Sequence, residues 1–261
     1  MTTCCIFGLG YIGLSTALIL SKNGVKVHGV DINKDLINNL NKGEIDIKEP
    51  LLKEIIINSI KHNNFFATLE PKNCNVYIIA VPTPFREDSS GNFKPDLSFV
   101  LEASKSIAKV IKEDDLVIIE STSPVGTTKK VAKLISDNSN IDFNKLKIAY
   151  CPERVLPGNI IKELVFNDRV VGGISKKSTS EAKEFIKIFC KGKIHETNPE
   201  TAEMIKLVEN SFRDVNIAFA NELSMICSEF SINVSEVINI ANKHPRVNIL
   251  KPGCGVGGHC I

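Results

Sequence analysis

Residues 8–13 read "GLGYIG", a G-x-G-x-x-G string that follows the apolar run "CCIF" and opens a stretch of helical periodicity. Strand, glycine turn and helix in that order specify the start of a dinucleotide-binding βαβ unit. Gly8 allows the tight turn, Gly10 lets backbone approach a pyrophosphate, and Gly13 permits close packing of helix on sheet. Tyr11 and Ile12 lie between them, where helix N-terminal amides and the positive dipole end meet an anion. Asp31 ends the next apolar run, "VKVHGVD" (25–31), 23 residues after Gly8. A carboxylate there accepts from both ribose hydroxyls and repels a 2′-phosphate, which selects NAD over NADP. Gly8, Gly10, Tyr11, Ile12, Gly13 and Asp31 are therefore the first cofactor-binding candidates.

The pattern continues in the same sense. Apolar runs at 4–8, 25–31, 75–81, 115–120 and 146–151 read as strands buried on both faces. Helical periodicity fills 12–23, 33–42, 50–63, 97–112 and 127–139 between them. A further strand–helix–strand unit follows at 168–173, 178–191 and 193–197. Such alternation predicts an α/β fold, a Rossmann-type doubly wound parallel sheet with helices on both faces. With 43% hydrophobic residues the chain can also fill such a core.

Beyond Pro199 the grammar changes. Residues 200–231 contain neither Gly nor Pro, and Met204, Leu207, Val208, Phe212, Val215, Phe219 and Ile226 recur at three- and four-residue steps. This predicts one amphipathic helix of about 30 residues, a connector between domains, a dimerisation surface, or both. A shorter helix is expected at 234–243, before the glycine-rich "KPGCGVGGHCI" (251–261).

Charge excludes some partners. Lys+Arg 32 against Asp+Glu 30 leaves a net charge of +2 without basic or acidic blocks, so neither nucleic acid nor an anionic membrane is implied. The apolar run "IGLSTALIL" is far short of the ~18 residues of a membrane span. The eight cysteines are scattered and "MTTCCIFGLG" lacks a basic n-region, which points to a reduced, cytoplasmic protein. Cys254, His259 and Cys260 have metal-ligand chemistry, but the partner spacing of a zinc site is missing, so no metal is expected.

Two further strings fall where strands three and four end, "VPTP" (81–84) and "ESTSPVGTT" (120–128). Ligands of doubly wound sheets sit outside the carboxyl ends of strands, so Thr83 and Thr122 become cofactor-contact candidates. Ser, Thr and Pro are equally ordinary in turns.

Taken in order, these strings with "CPERVLPGN" (151–159), "TAEMIKLVENSFRDVNIAFANE" (201–222), "HPRVNILKPG" (244–253) and "GCGVGGHC" resemble the UDP-glucose/GDP-mannose dehydrogenase family. Within it, "CPERVLPG" and "ENSFRDVNIAFANE" most resemble members acting on UDP-N-acetyl-D-mannosamine. The resemblance implies NAD-dependent oxidation of a UDP-sugar C6 alcohol to a uronate for surface polysaccharide synthesis. It also implies a homodimer or higher homo-oligomer. It assigns Cys260 as nucleophile, with Lys206, Asn210, Glu153 and Thr122 as catalytic partners. Substrate contacts carried over are Arg154, Val155, Lys206, Asn210, Arg213, His244, Arg246, Lys251 and Gly257. The domains implied are an NAD-binding domain over 1–197 and an incomplete helical central domain over 198–261. Family members continue into a UDP-sugar-binding domain absent from this chain, so the expectation is NAD binding with little or no turnover.

Three function classes stay open at this level. One is the four-electron dehydrogenase, on UDP-N-acetylmannosamine or alternatively UDP-N-acetylglucosamine or UDP-glucose. A second is a two-electron hydroxyacid dehydrogenase, which shares the Lys-x-x-x-Asn helix but has no need of a thiol. The third is a non-catalytic NAD-binding module.

Overall fold

The computed structural model describes residues 2–44, 50–155 and 158–254. The chain divides into two compact units, Met1–Met204 and Ile205–Ile261.

The first unit is built on an eight-stranded sheet. Strand β1 (Thr3–Phe7) leads through α1 (Tyr11–Lys22) to β2 (Lys26–Val30), and helices α2 (Lys34–Asn41) and α3 (Pro50–Lys61) lead to β3 (Phe65–Thr68). The second half runs from β4 (Val76–Ile79) through a small hairpin, β5 (Phe85–Glu87) and β6 (Phe93–Pro95), to α4 (Ser98–Ala108) and β7 (Leu116–Ile119). Helix α5 (Thr127–Asn138) then precedes β8 (Lys147–Tyr150). Short helix α6 (Ile160–Phe166), β9 (Arg169–Gly173), α7 (Lys176–Ile186) and β10 (Ile194–Thr197) complete the unit.

The strand order is β10-β9-β8-β7-β4-β1-β2-β3, so the first strand lies inside the sheet and the order reverses between β1 and β4. The core is the apolar content of the buried strands, among them Cys4, Ile6, Val27, Ile78 and Ile118, against α1 residues such as Leu14 and Leu18. Burial on both faces explains why these strands read as unbroken apolar runs.

Two features depart from simple alternation. Strands β3, β2, β1, β4, β7 and β8 run parallel, but β9 pairs antiparallel with β8, Ala149 opposite Gly173 and Tyr150 opposite Gly172. A parallel return needs a crossover that spans the sheet, whereas α6, with 7 residues at about 1.5 Å each, is too short. The reversal brings the start of β9 to the edge where the parallel strands end. The second feature is β3, a strand unforeseen in the sequence because four residues carry almost no periodicity. The β5–β6 hairpin and α6 were unforeseen for the same reason.

The second unit begins within α8 (Pro199–Glu229), one unbroken helix of 31 residues. Helix α9 (Val234–Ala241) follows, its N-terminus capped by the Asn233 side chain. Asn242 holds the ensuing loop, donating to the Ile249 carbonyl at 3.0 Å and accepting from its amide at 2.7 Å. No described helix is long and apolar enough to cross a membrane.

Candidate dinucleotide and active site

The glycine turn is shaped by what surrounds it. Gly8 adopts φ +89°, a left-handed conformation that side chains resist, and a Cβ there would lie 2.7 Å from the Ala80 carbonyl oxygen. A Cβ on Gly13 would lie 1.9 Å from the Gly8 carbonyl oxygen, so helix and turn touch backbone to backbone. Above Gly10 no described residue stands within 4 Å of an added Cβ, which leaves space among the described residues at the start of α1. Helix α1 has no side-chain cap at Gly10, so its dipole end suits the pyrophosphate. Tyr11 reaches away from the turn, its hydroxyl accepting from the Gly158 amide at 3.1 Å. Ile12 packs against the core.

Asp31 has two tasks. Its Oδ2 accepts from the Leu9 amide at 2.8 Å and its Oδ1 from the Asn33 amide at 3.0 Å. One carboxylate thus pins both the glycine turn and the start of α2, and its remaining lone pairs suit ribose hydroxyls. The residues present fit NAD on these grounds: open space over Gly10, an uncapped helix start, and a fixed carboxylate at the end of β2.

On the other side of the switch point, the loops after β4 and β7 are tied together. Thr83 Oγ1 donates to the Thr122 carbonyl at 2.7 Å, and Ser121 Oγ donates to the Val81 carbonyl at 2.7 Å. The Thr83 hydroxyl proton is therefore engaged, leaving its oxygen as an acceptor. Thr122 is half-buried in this loop.

Beneath the turn lies a buried ionic group that sequence patterns did not reveal. Arg169 Nη2 donates to Glu120 Oε1 at 3.0 Å, and Thr16 Oγ1 of α1 donates to Glu120 Oε2 at 3.0 Å. The arginine and glutamate are 1% and 3% exposed, deep enough that neither is screened by water. Burial outweighs the arginine and pushes the Glu120 carboxyl up. Burial also opposes the Arg169 charge, yet neighbouring Cys151 and Glu120 more than offset it and raise its pKa. This group fastens α1 to β7 and to the reversed strand β9.

Glu153 is buried, and its Oε2 accepts from the Val155 amide at 3.0 Å. Arg154 folds back on the same unit, Nη1 donating to the Asp168 carbonyl at 2.9 Å. Val155 is a core residue. Glu153 thus lies in the segment following β8, and Arg154 and Val155 have evident structural roles there.

In the second unit Lys206 is buried, Asn210 and Arg213 are half-buried, and the three fall on one face of α8. At 3.6 residues per turn they span about 60°, and Asn221 lies close to the same face. Asn221 accepts from the Gly253 amide at 2.9 Å, which anchors the start of the glycine-rich segment on α8. His244 and Arg246 are exposed, with His244 Nδ1 facing the Arg246 amide at 3.3 Å; Lys251 is exposed. Cys260 and Gly257 lie outside the described residues. Among the described residues no group of three or more His, Cys, Asp or Glu could hold a metal.

Residues 2–190 match the NAD binding domain of the UDP-glucose/GDP-mannose dehydrogenase family, and residues 200–261 match its central domain. A UDP-N-acetyl-D-mannosamine dehydrogenase of Campylobacter jejuni is 53% identical over 98% of this chain and 64% of its own length. An NDP-N-acetyl-D-galactosaminuronic acid dehydrogenase of Ralstonia solanacearum is 47% identical over 99% of the chain and 62% of its own. The solved UDP-D-ManNAc dehydrogenase of Pyrococcus horikoshii superposes with a TM-score of 0.93 at 43% identity, covering 99% of this chain and 62% of that one. The chain thus spans less than two thirds of the length of these relatives. Two consecutive family domains, matched in order over nearly every residue, carry one conclusion: the chain belongs to the UDP-glucose/GDP-mannose dehydrogenase family.

Proposed function

We propose that this chain carries the NAD-binding and connector parts of a cytoplasmic UDP-N-acetyl-D-mannosamine 6-dehydrogenase that supplies the uronate for surface polysaccharide. The observation that carries the reading is 53% identity across 98% of the chain to a relative of that name. The domain division proposed with it is 1–197 for NAD and 198 onward for the connector.

Oxidising a primary alcohol to a carboxylate removes four electrons, as two hydrides. NAD, when bound, accepts the hydride at each oxidation. Lys206 takes up the alcohol proton and, with Asn210, stabilises the oxygen as negative charge develops on it. The resulting aldehyde is a poor hydride donor until the Cys260 thiolate adds to its carbon, giving a tetrahedral thiohemiacetal. Loss of the second hydride leaves a thioester on Cys260, and water held by Glu153 hydrolyses it, releasing the uronate and the thiol. Thr122 lies in the loop beside the cofactor, and Arg154, Val155, Arg213, His244, Arg246, Lys251 and Gly257 complete the substrate contacts in this reading.

The test counts NADH formed per UDP-N-acetyl-D-mannosamine consumed by the protein of the whole open reading frame. Two NADH per sugar are expected, falling to one or none in Cys260→Ala. One NADH per sugar from the native protein would sink the thioester route. Faster turnover of an N-acetylgalactosamine nucleotide would favour the reading suggested by the Ralstonia relative instead.

The same helix supports a homodimer. Val208, Phe212, Val215, Phe219 and Ile226 are 51 to 66% exposed and line the face of α8 opposite Lys206 and Asn210. An apolar stripe of this length in water calls for a partner, and a second copy of the helix matches it in length and chemistry. Light scattering is expected to give twice the chain mass, and Phe212→Lys to lower it towards one chain. A native monomer at tens of micromolar would overturn the dimer.

A further inference from the structure

The two halves of the sheet present the same local device, used in opposite ways. Helices α1 and α5 both start at the edge where parallel strands end, and both start after a glycine, Gly10 and Gly126. Neither glycine has a side chain to satisfy the first helical amides. At α1 those amides face open space over Gly10. At α5 a carboxylate from 77 residues further on fills the position.

That carboxylate belongs to Glu203, in the first turns of α8 and fully buried. Its Oε2 accepts from the Gly126 amide at 2.6 Å. Its Oε1 accepts from the Thr128 amide at 2.7 Å and from the Thr128 hydroxyl at 2.6 Å. Short contacts from three donors to one ionised acceptor are the strong, charge-assisted kind, and the helix dipole favours the charge. Gly126 can take part because it holds φ +94°, which turns its amide towards the incoming carboxylate.

The loop fixed in this way is Ser121–Gly126, between β7 and α5. Its first end is tied by Ser121 to Val81 and by Thr83 to Thr122. Inside it Ser123 Oγ bonds the Ser121 carbonyl at 3.0 Å, and Thr127 Oγ1 bonds the Pro124 carbonyl at 2.7 Å. Glu203 holds the other end. In a doubly wound sheet each half binds one mononucleotide. Asp31 places the adenosine ribose on the half built from β1, β2 and β3. The β4 and β7 loops therefore face the nicotinamide mononucleotide.

We infer that Glu203 is a positioning residue for the nicotinamide half of the cofactor, capping α5 so that the Ser121–Gly126 loop is preset before NAD arrives. Its carboxylate also occupies the second anion-favouring helix start, leaving α1 as the place for the pyrophosphate. The inference rests on the NAD reading and extends it.

Affinity of the 261-residue chain for NAD and for ADP separates this role from a general effect on folding. ADP carries the adenosine and diphosphate but no nicotinamide. Glu203→Gln keeps the shape, removes the charge and opposes an amide N–H to a donor. It is expected to weaken NAD by about tenfold while ADP affinity stays within about twofold, with thermal unfolding followed in parallel. Thr128→Val, which deletes one donor only, is expected to shift NAD in the same direction by less. If Glu203→Gln does not fold, Thr128→Val decides alone. Equal losses for both ligands, or NAD affinity unchanged in the folded variants, would overturn the inference and leave the cofactor reading standing. A native chain that binds neither ligand would remove both.

Discussion

Gly13→Ala is expected to cost NAD affinity by about tenfold, with roughly 3 kcal/mol of misfit divided between binding and folding. The added methyl would sit 1.9 Å from the Gly8 carbonyl oxygen and 3.1 Å from the Ala80 Cβ. The first neighbour is backbone, so no rotamer change can relieve the clash. Relief requires α1 to lift from the turn, and that moves the amides meant for the pyrophosphate. Gly10→Ala offers the contrast, because no atom of the described residues lies within 4 Å of its added methyl. Such a variant should fold normally and lose affinity only through crowding of the phosphate. Calorimetric titration of both variants checks the pair of expectations. Native-like affinity in Gly13→Ala would show that the turn and helix are not held in contact.

Arg169→Met is expected to lower stability by about 3–5 kcal/mol, because it leaves the Glu120 carboxylate buried with only Thr16 as partner. For a domain of this size the unfolding midpoint should fall on the order of 10 °C. The loss depends on pH in a defined direction. The Glu120 carboxyl already titrates above its ordinary 4.5 in the folded chain, chiefly through burial. A raised carboxyl pKa contributes stability below the unfolded value and loses it as pH rises through the folded one. Removing the arginine raises that folded value further. The deficit of the variant should therefore be largest at neutral pH and shrink as pH falls towards 4.5. Adding Glu120→Gln to Arg169→Met should recover much of the loss, since a neutral pair of similar volume replaces a stranded charge. Denaturant midpoints for the single and double variants decide it. A double variant no more stable than Arg169→Met would mean that the arginine acts through packing alone.

How much of this was legible beforehand follows from where each signal lives. The glycine turn, Asp31 and the buried strands announce themselves because their constraints act over a few neighbouring residues. Helix α8 is legible for a related reason: its apolar stripe repeats over 31 residues. The reversed strand β9 was read as a strand but not as antiparallel, since direction is set by the connection and not by the strand's own residues. Glu120, Arg169 and Glu203 were not singled out at all. Their partners lie 49 to 104 residues away, and an isolated Glu or Arg in an apolar segment carries no local mark of a buried partner. Cys260 is the opposite case, assigned by resemblance and lying outside the described residues.

The Glu203 clamp has a consequence for synthesis. During translation the sheet can assemble once Thr197 has left the ribosome, yet the β7–α5 loop still lacks its last support. Three more hydrogen bonds form only when the first turns of α8 follow. The nicotinamide side of the first domain therefore matures after its own last strand, and its functional boundary lies inside a helix that belongs by length to the next domain. A protein cut at the end of β10 would keep its sheet and release the Ser121–Gly126 loop that Glu203 clamps.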